Sequence, residues 1–186
     1  MDGALLSSVK QDWETPDELL DLVRAVDAIA LDPCTTPDNP CNARHFFTPT
    51  EDGLSRSWRS PYPGARRRGG MSVTETGRLV FVNPPYGREL PHWADKCIAE
   101  SVVTYGVSDP VPIVLLVPAR TDTKWFNRAC DSAQALCLLR GRLTFRGAPH
   151  PAPFPSAIFY WGRSSELFAN VFTGRGRVFL LPSGGD

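Results

Sequence analysis

Apolar residues along the chain fall into two patterns. Short continuous runs recur at Ile29–Leu31, Leu79–Val82, Val111–Val117, Ala135–Leu139 and Ser156–Trp161. Runs of this length bounded by polar, Gly or Pro residues predict buried strands. Between them, apolar residues recur at helical spacing. Leu19, Leu20, Val23 and Val26 share one face, as do Trp93, Cys97, Ala99 and Val102 within a helix expected over Leu90 to Tyr105. Thr15-Pro16-Asp17-Glu18 predicts the start of the first helix, with Thr15 as cap, Pro16 in first position and Glu18 closing a capping box. Thr121 or Asp122 is expected to cap a short helix bearing Trp125, Phe126 and Ala129. Arg44–Thr48 is a further short strand, Ser164–Phe172 a last helix and Val178–Leu181 a last strand.

Apolar strands alternating with amphipathic helices predict an α/β fold, with a mostly parallel sheet covered by helices on both faces. One domain is expected to span residues 1–186. Pro, Gly, Ser and Arg dominate the stretch from Ser60, so a flexible basic loop is expected at about 60–78. Asp32, Asn83 and Pro118 each end a predicted strand. In such sheets, strand ends on one rim converge on a cleft.

Net charge is zero, so any nucleic-acid contact must come from local basic groups rather than a global field. The five cysteines are odd in number and form no CxxC pair. No secretory signal is read at the N-terminus, and no apolar run approaches membrane-spanning length. These features lead us to expect free thiols and a cytoplasmic protein without a metal. His45, His92 and His150 show no partner pattern for nucleophilic catalysis.

Asn83-Pro84-Pro85-Tyr86 follows the run LVFV directly and carries the chemistry. An exocyclic amine on a nucleobase is a poor nucleophile, because its lone pair is delocalised into the ring. Two acceptors on its two N–H bonds would draw the nitrogen towards sp3 and stabilise the developing positive charge. The Asn83 side-chain oxygen and the Pro84 carbonyl can supply them. Pro84 and Pro85 stiffen the backbone so that the acceptors are set beforehand. Tyr86 offers a flat face for a base. Inside a duplex such an amine is inaccessible, so the base must be rotated out or be single-stranded.

The chain resembles the phage-type, Dam-like DNA N6-adenine methyltransferases over most of its length, from Trp13 to about Trp161. The matching blocks are Trp13-Glu14-Thr15-Pro16, Leu31-Asp32-Pro33-Cys34, Asp52-Gly53-Leu54 with Trp58, and Asn83 to Gly87. They continue with Leu116 to Thr123 followed by Trp125-Phe126, then Gly141 to Phe145, and Pro153 to Ala157. The resemblance implies S-adenosylmethionine as methyl donor, DNA as substrate and a Rossmann-like methyltransferase fold. It further implies cofactor contacts from Trp13, Thr15, Pro16, Asp32, Pro33, Asp52 and Asn83. Thr35-Thr36-Pro37 stand where many methyltransferases place glycines, so the cofactor loop departs from the usual pattern.

Arg66, Arg67, Arg68, Arg120, Lys124 and Arg142 are the candidate DNA contacts, which would act on phosphates rather than choose sequence. The same acceptor geometry serves any planar amine, so cytosine N4 or a protein glutamine stays open as an alternative. So does a non-catalytic DNA-binding protein of the same fold.

Overall fold

A computed structural model describes residues 13–69, 77–102 and 110–182. The first helix, α1 (Asp17–Val26), buries Leu19, Leu20, Val23 and Val26. It leads into β1 (Ile29–Asp32), which is buried throughout. Two very short strands follow, β2 (His45–Phe46) and β3 (Arg66–Arg67). Next come β4 (Leu79–Val82), α2 (Leu90–Ser101), β5 (Ile113–Pro118) and α3 (Lys124–Ser132). The chain continues through β6 (Ala135–Leu139), β7 (Ser156–Trp161), α4 (Ser165–Phe172) and β8 (Gly176–Leu180).

All eight strands form one sheet, in the order β3-β2-β1-β4-β5-β7-β6-β8. Side chains alternate across it. Val80, Val82, Ile113, Leu115 and Val117 pack with Leu90, Trp93 and Cys97 of α2 and with Trp125, Phe126 and Ala129 of α3. Leu79, Phe81, Val114 and Leu116 pack on the opposite face with α1 and with Phe168 and Phe172 of α4. Helices therefore cover both faces. This double burial is why the strands read as unbroken apolar runs.

The expected mostly parallel sheet is corrected. β1 pairs in parallel with β2 and β4, and β4 with β5. The pairs β2/β3, β5/β7, β6/β7 and β6/β8 are antiparallel. The reason lies in the connection 140–155. It leaves β6 and re-enters at β7 on the same rim, without crossing back, so β7 must run against its neighbours. Periodicity reports burial and says nothing about strand direction.

Local details also differ from expectation. Pro16, not Thr15, caps α1, and no side-chain hydrogen bond caps the helix. Thr123, not Thr121 or Asp122, precedes α3. Arg66 and Arg67, expected in a loop, form an edge strand paired with His45 and Phe46. Residues 70–76 of that expected loop lie outside the described residues, as does Tyr105 of the expected second helix.

The turn after β2 is held tightly against the end of β1. A Cβ on Gly53 would sit 1.9 Å from the Pro33 carbonyl oxygen. The Trp58 indole N–H donates to the Gly53 carbonyl at 2.9 Å. We expect Gly53→Ala to displace Pro33 and lower the unfolding free energy by about 1–3 kcal/mol, as overpacking does. A urea unfolding curve with an unchanged midpoint would refute this packing argument.

Candidate active site

The strand order reverses at β1. The chain proceeds outward to β2 and β3, then returns to β4 on the other side. A crevice opens at such a reversal, beyond the carboxyl ends of the two strands. Asp32 ends β1 and Asn83 follows β4 at this point. A pocket lies between them, lined also by Trp13, Glu14, Thr15, Cys34, Thr35, Cys41, Phe81 and Pro85. Its enclosed part is about 60 Å³, and the rest of the crevice is open to solvent.

Asn83 is held by its amide. Its Nδ2 donates to the Trp13 carbonyl and, at 3.0 Å, to Thr15 Oγ1. A carbonyl can only accept, so the NH2 group must face Trp13 and the oxygen must face away. Asn83 Oδ1 accepts a hydrogen bond from the Tyr86 hydroxyl at 2.8 Å, and its second lone pair is left for another donor. Thr15 lies one residue before the cap position of α1, and its oxygen accepts from Asn83. Burial pushes the Tyr86 phenol well above its ordinary value, so it stays a neutral donor.

Four aromatic rings gather on this rim. Trp13 lies 5.1 Å from Phe145 and 5.8 Å from Phe154, and Tyr86 lies 5.5 Å from Phe154 in an edge-on arrangement. Phe145 and Phe154 stand in the connection 140–155, which the reversed β7 brings to the site. Arg146 of the same connection pairs with Asp17, and its backbone N–H donates to the Glu14 carbonyl at 2.8 Å. The segment before α1 is thus tied to both the strand end and this connection.

Asp32 is only 5% exposed. Its Oδ1 accepts from the Cys34 backbone N–H at 3.1 Å, and its Oδ2 from the Cys41 thiol at 3.0 Å. No basic side chain pairs with it among the described residues. Burial raises its carboxyl to about 6, and the thiol and N–H contacts only partly oppose this. The thiols of Cys34 and Cys41 are also pushed up, by burial first and then by the neighbouring carboxylate. They remain protonated, as donors rather than nucleophiles.

Of the expected cofactor residues, Trp13, Thr15, Asp32 and Asn83 line the pocket. Pro16, Pro33 and Asp52 do not. Asp52 is exposed on its turn with φ of 54°. Cys34, Cys41, Phe145 and Phe154 were not anticipated as site residues. Arg120, Lys124 and Arg142 are exposed on or just beyond the site rim, after β5 and β6. Arg66 pairs with Phe46, which pairs with Asp32, so it stands level with the pocket two strands away. It forms an ion pair with Glu51 at 2.9 Å. Arg67 is exposed, and Arg68 is half-buried and donates to the Asn42 carbonyl.

Residues 3–153 match the family model for DNA N-6-adenine-methyltransferase (Dam). The chain belongs to this Dam family. No curated protein matches it. Membership assigns the general activity, methylation of adenine N6 in DNA, and the match includes both the Asp32 and the Asn83 strand ends. No helix among the described residues is long and apolar enough to cross a membrane. No group of three or more His, Cys, Asp or Glu residues among them could hold a metal ion.

The Asp32 carboxyl makes this Dam-family chain's stability pH-dependent. Below about pH 4 the proton is bound in both folded and unfolded chains, and burial costs nothing. As pH rises from about 4 to 6 only the unfolded chain ionises, so stability falls; above about 6 the penalty is constant. We expect Asp32→Asn to match the parent near pH 4. At pH 7 it should be more stable by roughly 2–3 kcal/mol. Urea unfolding at the two pH values tests this, and a variant less stable at pH 7 would contradict it.

Proposed function

We propose that the chain transfers a methyl group from S-adenosylmethionine to the N6 amine of an adenine turned out of the DNA stack. The observation that carries this reading is the Asn83 amide, fixed by Trp13 and Thr15 at the mouth of a pocket floored by an unpaired buried carboxylate. The pocket residues fit the donor. Asp32, with no basic partner, is complementary to a cationic ligand, and Trp13 supplies an aromatic wall. When bound, S-adenosylmethionine supplies a methyl group on a positively charged sulfur. Trp13, Thr15 and Asp32 would hold it.

The chain's own residues prepare the acceptor. Asn83 Oδ1 keeps one lone pair for an N–H of the amine, because the Tyr86 hydroxyl occupies the other. The Pro84 carbonyl receives no backbone N–H among the described residues and is the second acceptor. These dipoles are set by strand end and prolines before substrate arrives, so little reorganisation is required at the moment of transfer. The amine's surplus proton can leave to water afterwards, so no side chain need act as general base. Extrusion of the base costs a few kcal/mol, which contacts with the aromatic rim would offset. Arg120, Lys124 and Arg142 on one flank, with Arg66, Arg67 and Arg68 on the other, would take phosphates.

Incubation with mixed-sequence DNA and S-adenosylmethionine, followed by base-resolved mapping, should yield N6-methyladenine. Product confined to N4-methylcytosine or methylated protein would overturn the acceptor. Asn83→Ala should lower methylation by about 10²–10³-fold with an unchanged circular dichroism spectrum; activity within a few fold of the parent would remove Asn83 from the mechanism. Donor affinity should also follow the ionisation of Asp32. It should be half-maximal near pH 6 and fall about tenfold per unit below that. Calorimetric titration that shows the same profile in Asp32→Asn would exclude the carboxylate from donor binding.

A further inference from the structure

Ser156 opens β7 and is 1% exposed, yet its hydroxyl has no hydrogen-bond partner among the described residues. A buried hydroxyl without a partner is costly and rare in a folded protein. Its position accounts for it. Ser156 pairs in register with Pro118, the last residue of β5. Two residues earlier in β5, the Leu116 carbonyl oxygen lies 3.4 Å from the Tyr86 hydroxyl oxygen. Two residues before Ser156, the Phe154 ring meets both Tyr86 and Trp13. Alternation along β7 places Ser156 on the same face as Ile158 and Tyr160. Those two residues belong to the apolar layer that holds Leu116 and Phe145 and against which Tyr86 and Phe154 pack. The unpaired hydroxyl therefore stands at the rim end of this layer, in the strand that follows the Phe154 ring and two strands over from β4, which Asn83 follows.

We propose that Ser156 is a substrate-contacting specificity residue, whose hydroxyl donates a hydrogen bond to a ring nitrogen of the target adenine when the base enters among these rings. The inference rests on the reading of the site as an adenine-N6 methyltransferase. Asn83 and Pro84 engage only the exocyclic amine, which leaves the ring nitrogens unread. Adenine N1 and N7 are acceptors, and a serine hydroxyl carries the single donor that either requires. A site with a buried hydrogen-bonding group discriminates against ligands that leave it unpaired.

Ser156→Ala tests the assignment. Removal of an unpaired buried hydroxyl should leave the melting temperature unchanged or higher. Affinity for S-adenosylmethionine should be unchanged, and methylation of DNA carrying the mapped target should fall roughly tenfold or more. A lowered melting temperature would make the hydroxyl structural, and activity within about twofold of the parent would make it irrelevant; either result overturns the proposal. A second measurement uses target DNA with 1-deazaadenine or 7-deazaadenine in place of the methylated adenine. One of the two should slow the parent by the same factor as the mutation, and should slow Ser156→Ala no further. Equal slowing of both proteins by each analogue would overturn the contact. A parent protein that forms no N6-methyladenine on any DNA would instead overturn the underlying reading. A parent that methylates DNA, with Ser156→Ala unaffected, overturns this inference alone.

Discussion

The site depends on the two hydrogen bonds donated by one amide. Asn83 Nδ2 spans from the end of β4 to the Trp13 carbonyl and the Thr15 hydroxyl, nearly seventy residues back in the chain. The bonds do three things together. They seat the segment before α1 over the cleft, point the Asn83 oxygen outward, and bring Tyr86 to that oxygen. Without them the cleft would have a floor and no wall. Arg146 closes the assembly from the other side through Asp17 and the Glu14 carbonyl. Three sequence-distant pieces are thus fastened to one another rather than to solvent.

The sheet makes this possible by where its strands stop. β1, β4 and β5 are parallel, so Asp32, Asn83 and Pro118 reach one rim. The reversed β7 starts on the same rim, which adds Phe154 and Ser156 to a site otherwise built from parallel strand ends. The buried carboxylate of Asp32 is tolerated because an N–H and a thiol satisfy its oxygens, but neither neutralises its charge. The pocket is therefore polarised for a cation before any ligand is present.

Much of this was legible in the residues. The bounds of β4, β6 and β7 follow from apolar runs cut off by Gly, Pro or polar residues; of the three strand ends expected on one cleft, Asp32 and Asn83 line the pocket and Pro118 does not. The failures have physical causes. Thr15 carries a good capping sequence, but α1 starts one residue later and the Thr15 oxygen meets Asn83 from a distant strand end, which no local pattern registers. Arg66 and Arg67 become a strand only because His45 and Phe46 lie alongside; their own composition favours solvent. Strand direction is invisible because burial is the same whichever way β7 runs. Cys34 and Cys41 are expected only as free thiols, and the hydrogen bonds that the Cys34 N–H and the Cys41 thiol give Asp32 depend on distances that no sequence pattern carries. Asp52 has the right chemical type, but its turn holds it outside the pocket.

The connection 140–155 is anchored unevenly. Phe145 and Ala152 are buried, and the Ala152 N–H donates to the Leu143 carbonyl at 2.7 Å. Between them Gly147, Pro149, His150 and Pro151 are exposed and only Ala148 is half-buried. The tip can therefore lengthen or change composition without moving a ring, an amide or a carboxylate below it. No such latitude exists after β1, where Gly53 is pressed against Pro33. The architecture separates a part that can diverge from a part that cannot: the tip can be remodelled while the rings, amide and carboxylate below it stay where they are.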